Sequence, residues 1–172
     1  FKKIKIINNH ILKKYLKFIN NNENILFVGP PGVGKTHLAT AVGIESALNR
    51  ISTYFISCHD LILQLKRAHL ENRLEQRIKH YASYGVLIID EVGYLPLDIE
   101  SSNLLFQLIA KRYERKSTVI TTNKNFSEWG EVFGDAVLAN AILDRLLHHS
   151  KVFLIKGRSY RTKDIIKIND SD

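Results

Sequence analysis

The chain has 172 residues, 45% hydrophobic and 24% charged, a globular mixture whose length fits one domain with a buried core and excludes two large ones. No run approaches the ~20 consecutive apolar residues of a membrane span, and no apolar stretch near the start leads to a cleavage site. With 25 Lys plus Arg against 17 Asp plus Glu the formal net charge is +8, which favours polyanionic partners such as nucleic acid. The single cysteine, Cys58, can form neither an internal disulfide nor a zinc cluster and reads as a small buried hydrophobe. A soluble cytoplasmic protein is the expectation. The chain opens at Phe1 and contains no methionine, so it reads as part of something longer at its N-terminus.

Residues 1–19 carry Lys2, Lys3, Lys5, Lys13, Lys14 and Lys17 and no acid. Leu12, Tyr15, Leu16 and Ile19 recur within them at i, i+3, i+4 and i+7, so a helix here would bury one stripe and expose its lysines. It reads either as a lead-in helix docked on the domain or as an arm that contacts phosphates. The asparagine cluster at 20–24 then favours a turn. Beyond it, short apolar or β-branched runs at 25–28, 53–57, 86–89, 118–121 and 152–155 predict strands. Helical patterns at 37–49, 61–81 and 101–115 have the length of crossover helices, and the third places Leu105, Leu108 and Ile109 on one face. This alternation predicts an α/β fold, a mostly parallel sheet covered by helices on both faces, within a single domain spanning 1–172.

The octet Gly29, Pro30, Pro31, Gly32, Val33, Gly34, Lys35 and Thr36 fits GxxxxGK[ST] and lies between a predicted strand and a predicted helix. Its glycines let backbone N–H groups turn inward around phosphates, and the helix that follows, reached by His37, presents its positive end. Lys35 would reach the β- and γ-phosphates, and Thr36 would offer a hydroxyl to Mg²⁺. The apolar run 86–89 ends in Asp90 and Glu91. At the C-terminal edge of a parallel sheet Asp90 stands beside the phosphate site and can hold the Mg²⁺ shell. Glu91 can take a proton from, or orient, an attacking water, a role that a small-molecule kinase does not need.

Asn123, after the strand at 118–121, could hydrogen-bond a γ-phosphate or the water, or could simply form a turn. In 136–149, Ala139, Ile142, Leu143, Leu146 and Leu147 form an apolar stripe. Arg145 falls on the opposite face, where it is either solvated or a residue that reaches a neighbouring subunit's nucleotide. His148 and His149, read as adjacent helical residues, point ~100° apart with no acid or Cys to complete a site, so no metal ligand is assigned there. Trp129 reads as a loop anchor rather than a base-stacking platform.

With these residues in view, the chain resembles the IstB family, the ATP-binding helpers of insertion-sequence transposases, related to the DnaC-type helicase loaders within the AAA+ ATPases. The resemblance rests on GPPGVGKTHLA at 29–39, LIIDEVGYLPL at 87–97, LLFQLIAKRYER at 104–115, TTNKNFSEWGEVFGD at 121–135, AILDRLLHHS at 141–150 and GRSYRTK at 157–163. It implies a P-loop NTPase of AAA+ type, with a five-stranded sheet of order 5-1-4-3-2 sandwiched by helices. It also implies Asn123 as a first sensor, Arg145 as a finger acting on an adjacent subunit's ATP, and Arg161 as a second sensor. The implied cofactors are ATP and Mg²⁺, and the implied partners are duplex DNA, a transposase and further copies of the chain. Family members carry an N-terminal domain ahead of the position matching Phe1. A replicative helicase loader shares the core chemistry and differs in partner, and a nucleotide-dependent DNA-binding scaffold with negligible turnover is the reading from another class.

Overall fold

A computed structural model of the chain describes residues 17–157 together with Ser159 and Tyr160. Five of the six N-terminal lysines, most of the stripe at 12–19 and Arg161 lie outside these residues. The strands are β1 (Asn24–Val28), β2 (Thr53–Ser57), β3 (Val86–Val92), β4 (Ser117–Thr122) and β5 (Ser150–Leu154). They form one sheet of order β2-β3-β4-β1-β5 in which every pairing is parallel. This is the expected order, read from the other edge.

The inner strands β1 and β4 are buried along their whole length, and β3 at every position but Glu91, because both faces of the sheet are covered. Alternate side chains serve different layers. Leu26, Leu87, Ile89 and Ile120 enter one core with Trp129 and most of the helices, whereas Ile25, Phe27, Val86, Ile88 and Val119 enter another with Phe18. Phe18 belongs to a short helix, α1 (Lys17–Asn20), and is fully buried, so the end of the basic segment does dock on the domain.

The helices that follow are α2 (Lys35–Leu48), α3 (Cys58–Leu70), α4 (Leu74–Ser83), α5 (Ile99–Arg112), α6 (Trp129–Phe133) and α7 (Ala136–Leu147). The pattern at 61–81 predicts one helix, and the structure has two. Asn72 takes φ 55° after α3, its N–H bonds to the His69 carbonyl, and the Arg73 N–H bonds to Ala68 at 2.7 Å. This left-handed C-cap suits asparagine, but the apolar spacing continues across it and hides the break. Ser57, Asp98 and Asp135 cap α3, α5 and α7 with side-chain oxygens that accept first-turn amides.

Arg112, at the end of α5, is 1% exposed and has no carboxylate beside it among the described residues. Its guanidinium donates to the carbonyls of Tyr81, Tyr84 and Ser117 and to the Thr118 hydroxyl. It thereby ties the end of α4 to the start of β4. Burial lowers its pKa to about 9. Cys58 is buried as expected, and that burial pushes its thiol up to about 12.

Candidate nucleotide-binding site

Register fixes what meets at the C-terminal edge of the sheet. Val28 pairs with Thr122 on one side and Leu154 on the other, so the loop after β1 lies between the ends of β4 and β5. The Gly29 amide bonds to Thr122, and Ile155 donates to the Val28 carbonyl at 2.7 Å. A Cβ on Gly29 would lie 2.3 Å from the Ile155 carbonyl oxygen, and glycine is therefore required. Gly32, at φ +77°, would place a Cβ 2.1 Å from the Ser159 hydroxyl, and its carbonyl accepts the Tyr160 amide at 2.9 Å. The segment after β5 thus folds against the loop.

Gly34 caps α2 at φ 97° with no side-chain acceptor, and the first turn holds no acid. The first amides of α2 are therefore available to an anion, as a phosphate cradle requires. Lys35 Nζ donates to the Gly29 and Pro30 carbonyls at 2.8 Å each, which keeps the ammonium over the loop. Pro30, Pro31 and His37 are exposed, and Val33 is half-buried.

Thr36 bridges α2 to β3. Its hydroxyl lies 3.1 and 3.2 Å from the two carboxylate oxygens of Asp90, which is 6% exposed. A hydroxyl and a carboxylate are hard oxygen donors of the kind Mg²⁺ takes alongside phosphate, so the pair fits that ion. Thr121 of β4 completes the arrangement: it donates to Asp90 Oδ1 at 2.5 Å and accepts the Glu91 amide at 2.9 Å. The Thr121 contribution was missed because β-branched residues ending a buried strand read as packing.

Glu91 is exposed at φ 61°, at a bulge where three steps along β3 match two along β4. A non-glycine residue in this region costs of order 1–3 kcal/mol and is over-represented at functional sites. The bulge turns its carboxylate out of the strand while Asp90 stays packed. Glu91 also walls a cavity of about 570 Å³ shared with Ser57, Lys66, Tyr94 and Leu95, and no loop residue from 29–36 lines it. Asn123 follows β4 at the same edge, half-buried, and its side chain hydrogen-bonds to none of the described residues.

Arg145 is not at this edge, and it is half-buried rather than fully solvated. Its guanidinium sits 4.7 Å above the Phe106 ring and donates to the Ala141 carbonyl at 2.8 Å. The aromatic face of α5 and the neighbouring turn of α7 hold a side chain that helical periodicity places in solvent. Trp129 is the expected anchor: it is fully buried against Phe126 and Phe133, within a short 3₁₀ turn and α6 rather than a loop.

A parallel sheet of this order, with a glycine-rich loop between β1 and an uncapped helix and an acidic pair ending β3, defines a P-loop protein of AAA+ type. The family profile described as IstB-like ATP binding protein matches residues 5–167, and the chain belongs to that family. It is 63% identical over 149 residues to the ATP-binding protein of insertion sequence IS232 from Bacillus thuringiensis subsp. berliner, covering 87% of this chain and 60% of that one. It is 50% identical over 149 residues to the corresponding IS21 protein from Pseudomonas aeruginosa, covering 87% and 56%. The chain therefore spans less than two thirds of these relatives. Among solved structures it is similar to a DnaC helicase loader at TM-score 0.71 and 28% identity, covering 88% of this chain and 92% of that one. Its fold also matches AMPPCP-bound DnaA from Aquifex aeolicus at TM-score 0.71 and 19% identity, covering 94% and 50%. Among the described residues no helix is long and apolar enough to cross a membrane.

Proposed function

We propose that this chain is the ATPase part of an insertion-sequence helper that binds and hydrolyses ATP, assembles on duplex DNA and recruits or activates a partner transposase. The observation that carries the ATPase reading is the Thr36 hydroxyl within 3.2 Å of both Asp90 oxygens, with Glu91 turned outward beside it. The amides of the loop and of the first turn of α2 hold the phosphates, and Lys35 exchanges its two carbonyl partners for β- and γ-phosphate oxygens. Thr36 and Asp90 would hold Mg²⁺, which when bound would supply charge neutralisation at the phosphates. Glu91 orients the attacking water and accepts its proton, and Asn123 hydrogen-bonds the water or the γ-phosphate. Arg161 follows Tyr160, whose amide is bonded to Gly32, and that adjacency supports its reading as a second sensor.

The transposition part rests on the family and on the insertion-sequence relatives, and the +8 charge supports a duplex partner. A second reading, a replicative helicase loader, draws on the 28% identity to DnaC, and only the partner separates the two. Calorimetry and a phosphate-release assay test the ATPase core. Lys35→Ala should lose ATP binding, whereas Glu91→Gln should bind normally and turn over about 10²-fold or more slower. Wild-type affinity in the first or wild-type turnover in the second overturns the assignment.

A further inference from the structure

The end of the sheet away from the phosphate loop carries a cluster that the ATPase reading does not use. Glu114 follows α5, just before β4, and His148 and His149 follow α7, just before β5. The expectation that the two histidines diverge fails: just past the end of α7 at Leu147 their ring centroids lie 4.0 Å apart. The missing acid comes from a distant part of the chain. Glu114 Oε1 is 3.6 Å from His148 Nδ1 and 3.4 Å from His149 Nε2, and no two of the three donor atoms are further apart than 4.8 Å.

We propose that Glu114, His148 and His149 form a binding site for a divalent transition-metal ion, zinc by preference. With zinc-to-donor bonds of ~2.0–2.1 Å, tetrahedral ligands stand about 3.3 Å apart, and both separations from Glu114 are close to that value. Two imidazoles and one carboxylate suit zinc and its neighbours in the first transition row rather than Mg²⁺ or Ca²⁺. Three protein ligands leave a fourth position for water. All three side chains are about half exposed, so an ion can enter.

The backbone beneath the ligands is held before any ion arrives. Glu114 has φ 57°, and its carbonyl accepts Asn22 Nδ2 at 3.1 Å. The His149 carbonyl accepts the Asn24 amide at 2.7 Å. The buried Asn24 side chain donates to Leu146 at 3.1 Å and accepts from the Thr118 amide at 2.9 Å, which joins the end of α7 to the start of β4. Tyr113 competes: its hydroxyl is 2.6 Å from His148 Nδ1, a contact that the ion would have to displace. Cys58, buried with its thiol pushed up to about 12, is no rival ligand.

The test uses the full chain without nucleotide or Mg²⁺, with zinc sulfate titrated against a chromophoric chelator. Wild type should take up one equivalent of zinc at micromolar free metal, and its melting temperature should rise with free zinc. Cobalt in place of zinc should give the visible absorption of a four-coordinate site. Glu114→Gln, His148→Ala and His149→Ala should each weaken uptake about tenfold or more, and Tyr113→Phe should bind at least as tightly as wild type. ATP affinity should be unchanged throughout, because the phosphate loop lies at the other end of the strands. Failure of wild type to take up stoichiometric zinc, or wild-type affinity in the three ligand variants, would overturn the site and leave only adventitious binding by other histidines.

Discussion

The Thr121 hydroxyl serves two neighbours at once, donating to Asp90 Oδ1 at 2.5 Å and accepting the Glu91 amide at 2.9 Å. One β4 side chain therefore orients the carboxylate that faces Thr36 and braces the bulge that turns Glu91 outward. Thr121→Val keeps the shape and removes both bonds. It should leave ATP affinity within a few-fold of wild type and lower kcat by about 10- to 100-fold, the scale on which partners that orient metal-binding carboxylates act. Thr121→Ser should recover most of the rate. Equal kcat in the valine and wild-type proteins would reduce Thr121 to packing.

Arg112 makes a prediction about stability instead of turnover. Arg112→Met fills similar volume but leaves the carbonyls of Tyr81, Tyr84 and Ser117 without their donor in a buried setting. Unsatisfied buried acceptors cost ~1–3 kcal/mol each, so a loss of about 3 kcal/mol or more is expected in urea unfolding. A loss below about 1 kcal/mol would mean that water or relaxation replaces those bonds.

Asp98 supplies a pH dependence. Its carboxylate accepts Lys66 Nζ at 2.6 Å and the Ser101 amide at 2.7 Å, and the Lys66 contact, then the cap, hold it well below its ordinary 3.8. A pKa depressed in the folded state stabilises above the ordinary value, and the contribution is lost as pH falls below it. Asp98→Asn keeps a capping oxygen and removes the charge. The small stability gap between the two proteins should be present at pH 7, shrink with salt, and close as the pH is taken below about 4. A gap that is constant across this range would exclude the ion pair as its source.

The phosphate loop, the Asp90–Glu91 pair and all five strands were legible because their signals are local: glycine spacing, a lysine and a hydroxyl at fixed offsets, and short apolar runs. The sheet order came only from the family resemblance, since spacing does not say which parallel strands pair. The break at Asn72 was hidden because the apolar period of α3 and α4 runs through it. Thr121, Arg112 and the Glu114 cluster were invisible for another reason. Each acts through partners brought close by the fold, and a threonine, an arginine or a histidine pair carries no sign of that in its own neighbourhood.

Arg145 is where the fold bears on the proposal that catalysis is shared between subunits. The Asn24 side chain lies 3.5 Å from its carbonyl, at the start of β1, whereas the phosphate loop begins at Gly29, about 16 Å further along at ~3.3 Å per residue. Arg145 therefore cannot serve its own subunit's nucleotide without leaving α7. Reaching a neighbour's γ-phosphate requires it to swing off Phe106, at a cost of about 0.5–1 kcal/mol, small beside the 10³–10⁵ in rate that an arginine finger supplies. Arg145→Ala should keep ATP affinity, lose turnover steeply, and regain part of it when mixed with Lys35→Ala subunits, which contribute the arginine that the first variant lacks. Phe106→Leu frees the guanidinium without removing it and should retain turnover, a result that loss of packing alone would not give. Specific activity of the wild type should rise with protein concentration and with added duplex DNA, both of which bring subunits together. Normal hydrolysis by Arg145→Ala, together with turnover per subunit that is flat across concentration, would confine Arg145 to its place on Phe106 and reject the shared site.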